Sequence, residues 1–271
     1  MLPQLLGPYV SLLNPWAQTS PASSTAAHPM KAQIDQNNLP AHIAVIMDGN
    51  GRWATRQGKP RAFGHKNALT AVREVVEGCG ELGIPHLTLF AFSIENWKRP
   101  PAEVDYLMAM ITRVIDKELA ELVQKNVRLT FIGDLKRFPS DCQKAIQKAI
   151  QASQHNQGLQ LTIALGYSGR WDLAEAAKAI AQEVQAGSLG LQDIDAELFK
   201  QYLVTKNMPD PALLIRTSGE MRLSNFLLWQ LAYTELFFAP VLWPDFRKNH
   251  LHEAILAYQK RDRRFGKKLG V

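Results

Sequence analysis

The sequence predicts an α/β fold: a single domain built on a central, mostly parallel six-stranded sheet flanked by helices. Three observations carry the prediction. From His42 onward, short apolar and β-branched runs alternate with stretches whose apolar residues recur every three or four positions. Most of the intervening stretches are about ten residues or longer, the length that a crossover between parallel strands requires. The composition, 46% hydrophobic and 21% charged over 271 residues, is that of a globular chain able to bury a large core.

The elements follow in order. "HIAVIM" (42–47) is the first strand. "NALTAVREVVEGCGELG" (67–83) has helical spacing and stops at Gly83, a residue suited to the left-handed position after a helix. "LTLFAF" (87–92) is the second strand, followed by the loop "SIENWKRPP" and a helix over 102–125. "VRLTFIG" (127–133) is the third strand. Ser140 and Gln143 form a capping-box pattern that opens the next helix. "LQLTIAL" (159–165) is the fourth strand, and two further helical stretches lead to "ALLIR" (212–216) and "TELFF" (234–238) as the fifth and sixth. Residues 1–40, apolar at first and then rich in Pro, Ser and Ala, are expected to form a poorly ordered extension, with the folded domain spanning 41–271.

Composition narrows the function. Lys+Arg 31 against Asp+Glu 25, a net charge of +6, suits an anionic small molecule or a membrane surface as readily as nucleic acid. The arginines sit at separate strand ends and form no stripe interleaved with exposed aromatics, so no nucleic-acid partner is expected. No apolar run reaches the roughly 18 residues of a membrane span, and the first residues lack the basic start of a signal peptide. Cys79 and Cys142 lie far apart without metal-ligand spacing, which predicts reduced thiols and a cytoplasmic address.

Open parallel sheets bind ligands at the carboxyl ends of their strands, and the unusual residues fall there. After the first strand, "DGNGRWATRQGKPRAFGH" pairs Asp48 with Gly49 and Gly51, which let backbone N–H groups approach phosphate oxygens. Arg52, Arg56, Arg61 and His65 add donors. An acid among them points to a divalent metal between carboxylate and phosphate. After the second strand, Ser93 to Arg99 offer Asn96, Trp97 and Arg99, with Glu103 placed for function or for the first turn of a helix. After the fifth, Arg216, Arg222 and Ser224 lie within nine positions and suit a second diphosphate clamp. Glu235, on an apolar strand, needs a metal or an arginine partner. Two basic clamps, an acid and apolar helices fit the joining of two phosphorylated, greasy molecules.

"HIAVIMDGNGRWA", "RAFGHK", "LTLFAFSIENWKRP" and "LLIRTSGEMRLSNFLLWQLAYTELFF" with "LWPDF" closely resemble the cis-prenyltransferases of undecaprenyl diphosphate synthase type, from about His42 to "RDRRFG" near the C-terminus. The resemblance implies repeated condensation of isopentenyl diphosphate onto farnesyl diphosphate, Mg²⁺, a homodimer, and a hydrophobic tunnel beside the sheet. It also implies peripheral, transient contact with the inner membrane surface for product release.

Residue by residue, the resemblance places the allylic diphosphate on Gly49, Asn50, Gly51 and Arg52 beside Arg61 and His65, with Trp53 and Trp97 at the entrance. Ser93, Ile94, Glu95 and Arg99 join the same substrate-binding set. Isopentenyl diphosphate falls to Arg216, Arg222, Leu223 and Ser224, Mg²⁺ to Asp48 and Glu235, and the catalytic roles to Asp48 and Asn96. An amide is a poor base, so Asn96 is given a positioning or relay role. Ala91 and Leu159 align with length-controlling sites, Ala91 near the diphosphate and Leu159 as the tunnel floor. Met221, "GYSGR" and Ala212 depart from the family pattern without removing a charged ligand. A non-catalytic partner subunit of the same superfamily is the rival reading. It is disfavoured because Asp48 to Trp53 are intact and the sequence reads "GKKLGV" in place of an Arg-X-Gly tail.

Overall fold

Strand β1 (His42–Ile46) is buried along its whole length, as a strand is only when both faces of its sheet are covered. The computed structural model describes residues 30–262. Around β1 it arranges β2 (His86–Ser93), β3 (Arg128–Ile132), β4 (Gln160–Tyr167), β5 (Leu213–Arg216) and β6 (Glu235–Phe238) in the order β3-β4-β2-β1-β5-β6. All five pairings are parallel, so the sheet is wholly parallel.

Side-chain alternation divides the core. Ile43 and Val45 face one layer, with α2 (Arg61–Leu82) and α7 (Lys248–Gln259). Ala44 and Ile46 face the other, with Phe226, Leu227 and Leu231. A third cluster joins α3 (Pro101–Gln124) to α4 (Ser140–Ser153). Two shorter helices, α1 (Asn50–Arg56) and α6 (Ala196–Lys200), and the longer α5 (Gly169–Gln185) complete the α-helices among the described residues.

The chain leaves β1 toward β2 on one side and returns to β5 on the other, so the strand order reverses at β1. The carboxyl ends of β1 and β5 therefore flank the switch-point crevice, where such sheets take ligands.

Several expectations are refined. Helix α2 begins at Arg61, six residues earlier than its periodicity shows, because Pro60 sets the entry dihedral. Gly64 brings its first turns against α1, and a Cβ there would stand 1.9 Å from the Asn50 carbonyl oxygen. The Ser140/Gln143 capping box does not form. Pro139 precedes the helix, and Gln143 donates instead to the Phe138 carbonyl at 2.7 Å. Residues 30–40 pack onto the domain: Ile34 enters the core, Lys31 pairs with Glu81 at 2.8 Å, and Gln259 donates to the carbonyls of Asp35 and Asn38. The rest of the expected extension, residues 1–29, lies outside the described residues.

His42 ties β1 to its neighbours. Its Nδ1 donates to the Pro209 carbonyl at 2.7 Å, so Nε2 is the acceptor for the Thr88 hydroxyl, also at 2.7 Å. Burial pushes this imidazole down to about 4, so the neutral tautomer is the folded form. The folded chain then binds fewer protons than the unfolded chain between pH 6.5 and 4, and stability falls as pH drops through that window. His42 alone should remove on the order of 3 kcal/mol by pH 4. A urea midpoint that stays constant from pH 7 to pH 4 would contradict the assignment.

Candidate active site

The site grows from two strand ends. After β1, Gly49 takes a left-handed conformation (φ 109°) and opens α1, a backbone region that favours glycine. The first N–H groups of α1, from Asn50, Gly51 and Arg52, have no partner within the helix. They border a cavity of about 400 Å³ whose lining includes Asp48, Arg52, Arg56, Arg61, His65 and Arg99. Four arginines around one carboxylate make this a cleft for anions.

Asp48 is the hub. Its carboxylate accepts from Arg52 Nη2 at 3.0 Å and from Arg216 Nη2 at 2.8 Å. Burial raises its pKa, but the hydrogen bonds from Arg216 and Arg52 outweigh that and hold it below the ordinary carboxylate value. Its backbone is fixed too: Asp48 N–H donates to Thr217 Oγ1 at 2.9 Å, and the Thr217 hydroxyl donates to the Asp48 carbonyl at 2.6 Å. Arg216, at the end of β5, is 3% exposed. It also donates to Ser224 Oγ at 2.6 Å and to the Arg222 carbonyl.

Arg216, Ser224 and the Arg222 backbone carbonyl are thus brought together, with Leu223 packed on the core beside them. The Arg222 side chain turns to Glu220, which also accepts from Arg52 at 2.6 Å. Glu220 therefore links the loop after β1 to the loop after β5. The sequence reading gave it no role, because only the fold brings the two loops together.

The loop after β2 supplies a third side. Arg99 pairs with Glu103 at 3.0 Å and Arg61 stands 3.9 Å from the same carboxylate, so Glu103 both opens α3 and orients two cleft arginines. Asn96 Oδ1 accepts from the Ser93 N–H at 3.1 Å, which makes it a local cap for the turn 94–98. Glu95 accepts from Asn225 at 2.7 Å, while Ile94 begins the turn 94–98.

His65 lies at the cleft's inner end. Burial, and then the charge of Arg99, push it down to about 4, so it is a neutral imidazole at pH 7. Its Nε2 and Asn50 Oδ1 are buried without a hydrogen-bond partner among the described residues, a feature of ligand sites. Both residues, with Met47, also line a second cavity of about 170 Å³. That cavity is apolar and runs between α2, α3 and the sheet, past Ala91 and Leu89 to Leu129 and Leu161. A bulge in β2 between Phe90 and Phe92 turns both Ala91 and Phe92 toward it.

Three expectations are corrected. Glu235 does not meet Asp48 within the chain. It pairs in register with Leu213, three residues (about 10 Å) back along the strands from Arg216, and binds Arg261. The arginine resolves the cost of its charge, and no cluster of three His, Cys, Asp or Glu suited to a metal occurs among the described residues. Trp53 and Trp97 line neither cavity. Trp53 donates to Asp245 and stacks on Phe63, and Trp97 packs edge-on against Phe92 and Phe138 with Arg137 over its ring. Leu159 does not line the apolar cavity either; it is buried in the core cluster containing Leu129 and Leu161.

An arginine cleft opening at its inner end onto an apolar cavity defines a protein for ligands with an anionic head and a greasy body. Residues 46–266 match the prenyltransferase family described as "Putative undecaprenyl diphosphate synthase", and the chain belongs to that family. It is 53% identical over 229 residues to an isoprenyl transferase of Chlorobaculum tepidum, covering 84% of this chain and 86% of the relative. It is 51% identical over 234 residues to a ditrans,polycis-undecaprenyl-diphosphate synthase ((2E,6E)-farnesyl-diphosphate specific) of Pasteurella multocida, covering 86% and 98%. Among solved structures it resembles lavandulyl diphosphate synthase from Lavandula x intermedia in complex with dimethylallyl diphosphate. There the TM-score is 0.83 at 40% identity, over 85% of this chain and all of that one.

Asp48 is more than a surface ligand. Asp48→Ala strands the buried Arg216 guanidinium without its carboxylate and should cost about 3–5 kcal/mol. Asp48→Asn, which keeps an acceptor, should remain closer to the parent in thermal denaturation while losing about a hundredfold or more in turnover. Equal stability of the two variants would show that Arg216 does not depend on the charge.

Proposed function

We propose that the protein is a cis-prenyltransferase that adds isopentenyl diphosphate repeatedly to farnesyl diphosphate or a similar allylic diphosphate. The product on this reading is a long-chain cis-polyprenyl diphosphate, undecaprenyl diphosphate, a carrier lipid for cell-wall glycan synthesis. The observation that carries the reading is the shared boundary of the two cavities at Met47, Asn50 and His65. A diphosphate held by Arg52, Arg61 and the N–H groups of α1 points its hydrocarbon into the apolar cavity. The homologues named for this activity support the substrate class and the cis geometry.

Catalysis on this reading is electrostatic. Charge builds on the allylic diphosphate as it leaves, and arginines already fixed in place stabilise it without reorganising. Isopentenyl diphosphate is held by Arg216, Arg222 and Ser224, within one hydrogen-bond network of the allylic cradle. Neutral His65 donates or accepts at the head of the apolar cavity, and Asn96 positions the loop after β2.

The residues fit Mg²⁺ in one respect: a lone carboxylate beside an anion cleft suits an ion bound by one acid plus diphosphate oxygens. Asp48 would hold it, and the ion would neutralise diphosphate charge. Glu235, level with Leu213 and so three residues back along the sheet from Arg216, is not part of that site within one chain. A homodimer and transient contact with the inner membrane surface, where an apolar product must be released, complete the proposal for a cytoplasmic enzyme. No helix among the described residues is long and apolar enough to cross a membrane. The assembled hub of Asp48, Arg52 and Arg216 favours catalysis over a non-catalytic partner subunit.

Labelled isopentenyl diphosphate, farnesyl diphosphate and Mg²⁺ should yield a polymer of defined length; absence of any polymer would sink the reading. Ala91→Leu should shorten the product, since the added carbons enter the cavity near its head. A folded, active Ala91→Leu variant with parent-length product would mean that the chain does not pass Ala91.

A further inference from the structure

The apolar cavity has a single carboxylate among its described lining residues, Glu118 of α3. Its side chain is 13% exposed, and a carboxylate so placed needs a partner. Arg73 of α2 supplies it through two parallel hydrogen bonds, Nε to Oε2 at 2.7 Å and Nη2 to Oε1 at 2.6 Å. This fork-to-fork geometry holds both side chains in one arrangement and ties α2 to α3. The Arg73 side chain is 46% exposed, so the pair stands between the cavity and solvent.

Beyond the pair lies a third, smaller cavity of about 40 Å³. It shares Val72, Glu118, Leu122 and Leu161 with the apolar cavity, so apolar surface continues from one to the other past the ion pair. Its outer rim is charged: Lys125 bridges Glu77 at 2.8 Å and Glu121 at 2.7 Å. The end of the apolar cavity remote from Asn50 and His65 is therefore closed by a salt bridge and not by hydrocarbon alone.

We propose that the Arg73–Glu118 pair is the threshold that limits product length, closing a lateral exit between α2 and α3. The inference rests on the reading of the apolar cavity as the channel of the growing chain. Each added five-carbon unit pushes the tail from Asn50 and His65 toward Leu161. While apolar wall lies ahead, burial of the tail favours advance. At the pair, advance requires α2 and α3 to separate, which leaves Glu118 charged against hydrocarbon with its partner withdrawn. Elongation stalls there. Removing both charges together turns the threshold into continuous apolar wall and lets the tail pass into the outer cavity.

The test compares product lengths made from farnesyl diphosphate and labelled isopentenyl diphosphate by the full chain. The double variant Arg73→Met/Glu118→Leu should shift the distribution upward by at least one five-carbon unit. The exchanged pair, Arg73→Glu/Glu118→Arg, should return it toward the parent. Glu81→Gln, which weakens the tie of α2 to Lys31 and Lys248 away from both cavities, should leave it unchanged. A folded double variant with parent-length products overturns the proposal, as does an equal shift in Glu81→Gln, which would mean that any loosening of α2 suffices. Should the double variant not fold, Glu118→Gln carries the decision: longer product supports the threshold and unchanged product overturns it. A parent enzyme that makes no polymer refutes the function proposed above; polymer of unaltered length refutes this inference alone.

Discussion

A guanidinium buried at the switch point of a parallel sheet constrains everything around it. Arg216 closes β5 at 3% exposure, and Asp48, two residues past β1, is the carboxylate that compensates it at 2.8 Å. Charge at that depth needs a charged partner. The two terminal nitrogens of Arg216 are engaged by Asp48, Ser224 and the Arg222 carbonyl, while its buried Nε has no partner among the described residues. The pair therefore fixes the loops after β1 and β5 relative to each other, and the reciprocal bonds of Thr217 with the Asp48 backbone repeat the constraint. Helix α1, which begins two residues after Asp48, receives its direction from the same anchor. The cleft is thus an extension of the core.

The loop after β5 shows how much local strain this arrangement carries. Ser224, Asn225 and Leu227 all have positive φ (50°, 61° and 44°), a conformation costing about 1–3 kcal/mol for each non-glycine residue. Asn225 offsets it. Its side chain donates to Glu95 and Ser168 and accepts from the Arg170 N–H, while its carbonyl accepts from the Gly169 N–H at 2.6 Å. One asparagine thereby joins the loop after β2, the start of α5 and the strained segment presenting Ser224 to Arg216. Behind it, buried Asp172 accepts from Tyr167, Gln230 and the Val204 N–H.

Two of the cleft arginines are engaged by acids of the protein itself, Arg52 by Asp48 and Glu220 and Arg99 by Glu103, and neighbouring Arg222 is engaged by Glu220. A diphosphate entering here exchanges carboxylate contacts for phosphate contacts, so only the difference between them appears as affinity. That difference favours a ligand bearing several negative oxygens over a simple monoanion. Preorganisation is the compensation, because the arginines are aimed before the ligand arrives.

The sequence by itself determined the α/β class, the six strands to within a residue or two, and the concentration of unusual residues after β1, β2 and β5. Those are local properties: alternation reports which faces are buried, and a strand end reports where the backbone must turn. Asp48, Gly49, Arg52, Arg61, His65 and Arg216 were legible for that reason. Partnership was not. Arg216 and Asp48 are separated by 168 residues, and Glu220 meets Arg52 across the same distance in sequence. The tertiary structure alone decided that Glu235 binds Arg261, that Trp97 fills an apolar cluster, that Asn96 caps a turn, and that Leu161, not Leu159, reaches the cavity. Strand order and side-chain direction settle which group faces which, and neither is written in the periodicity of a single segment.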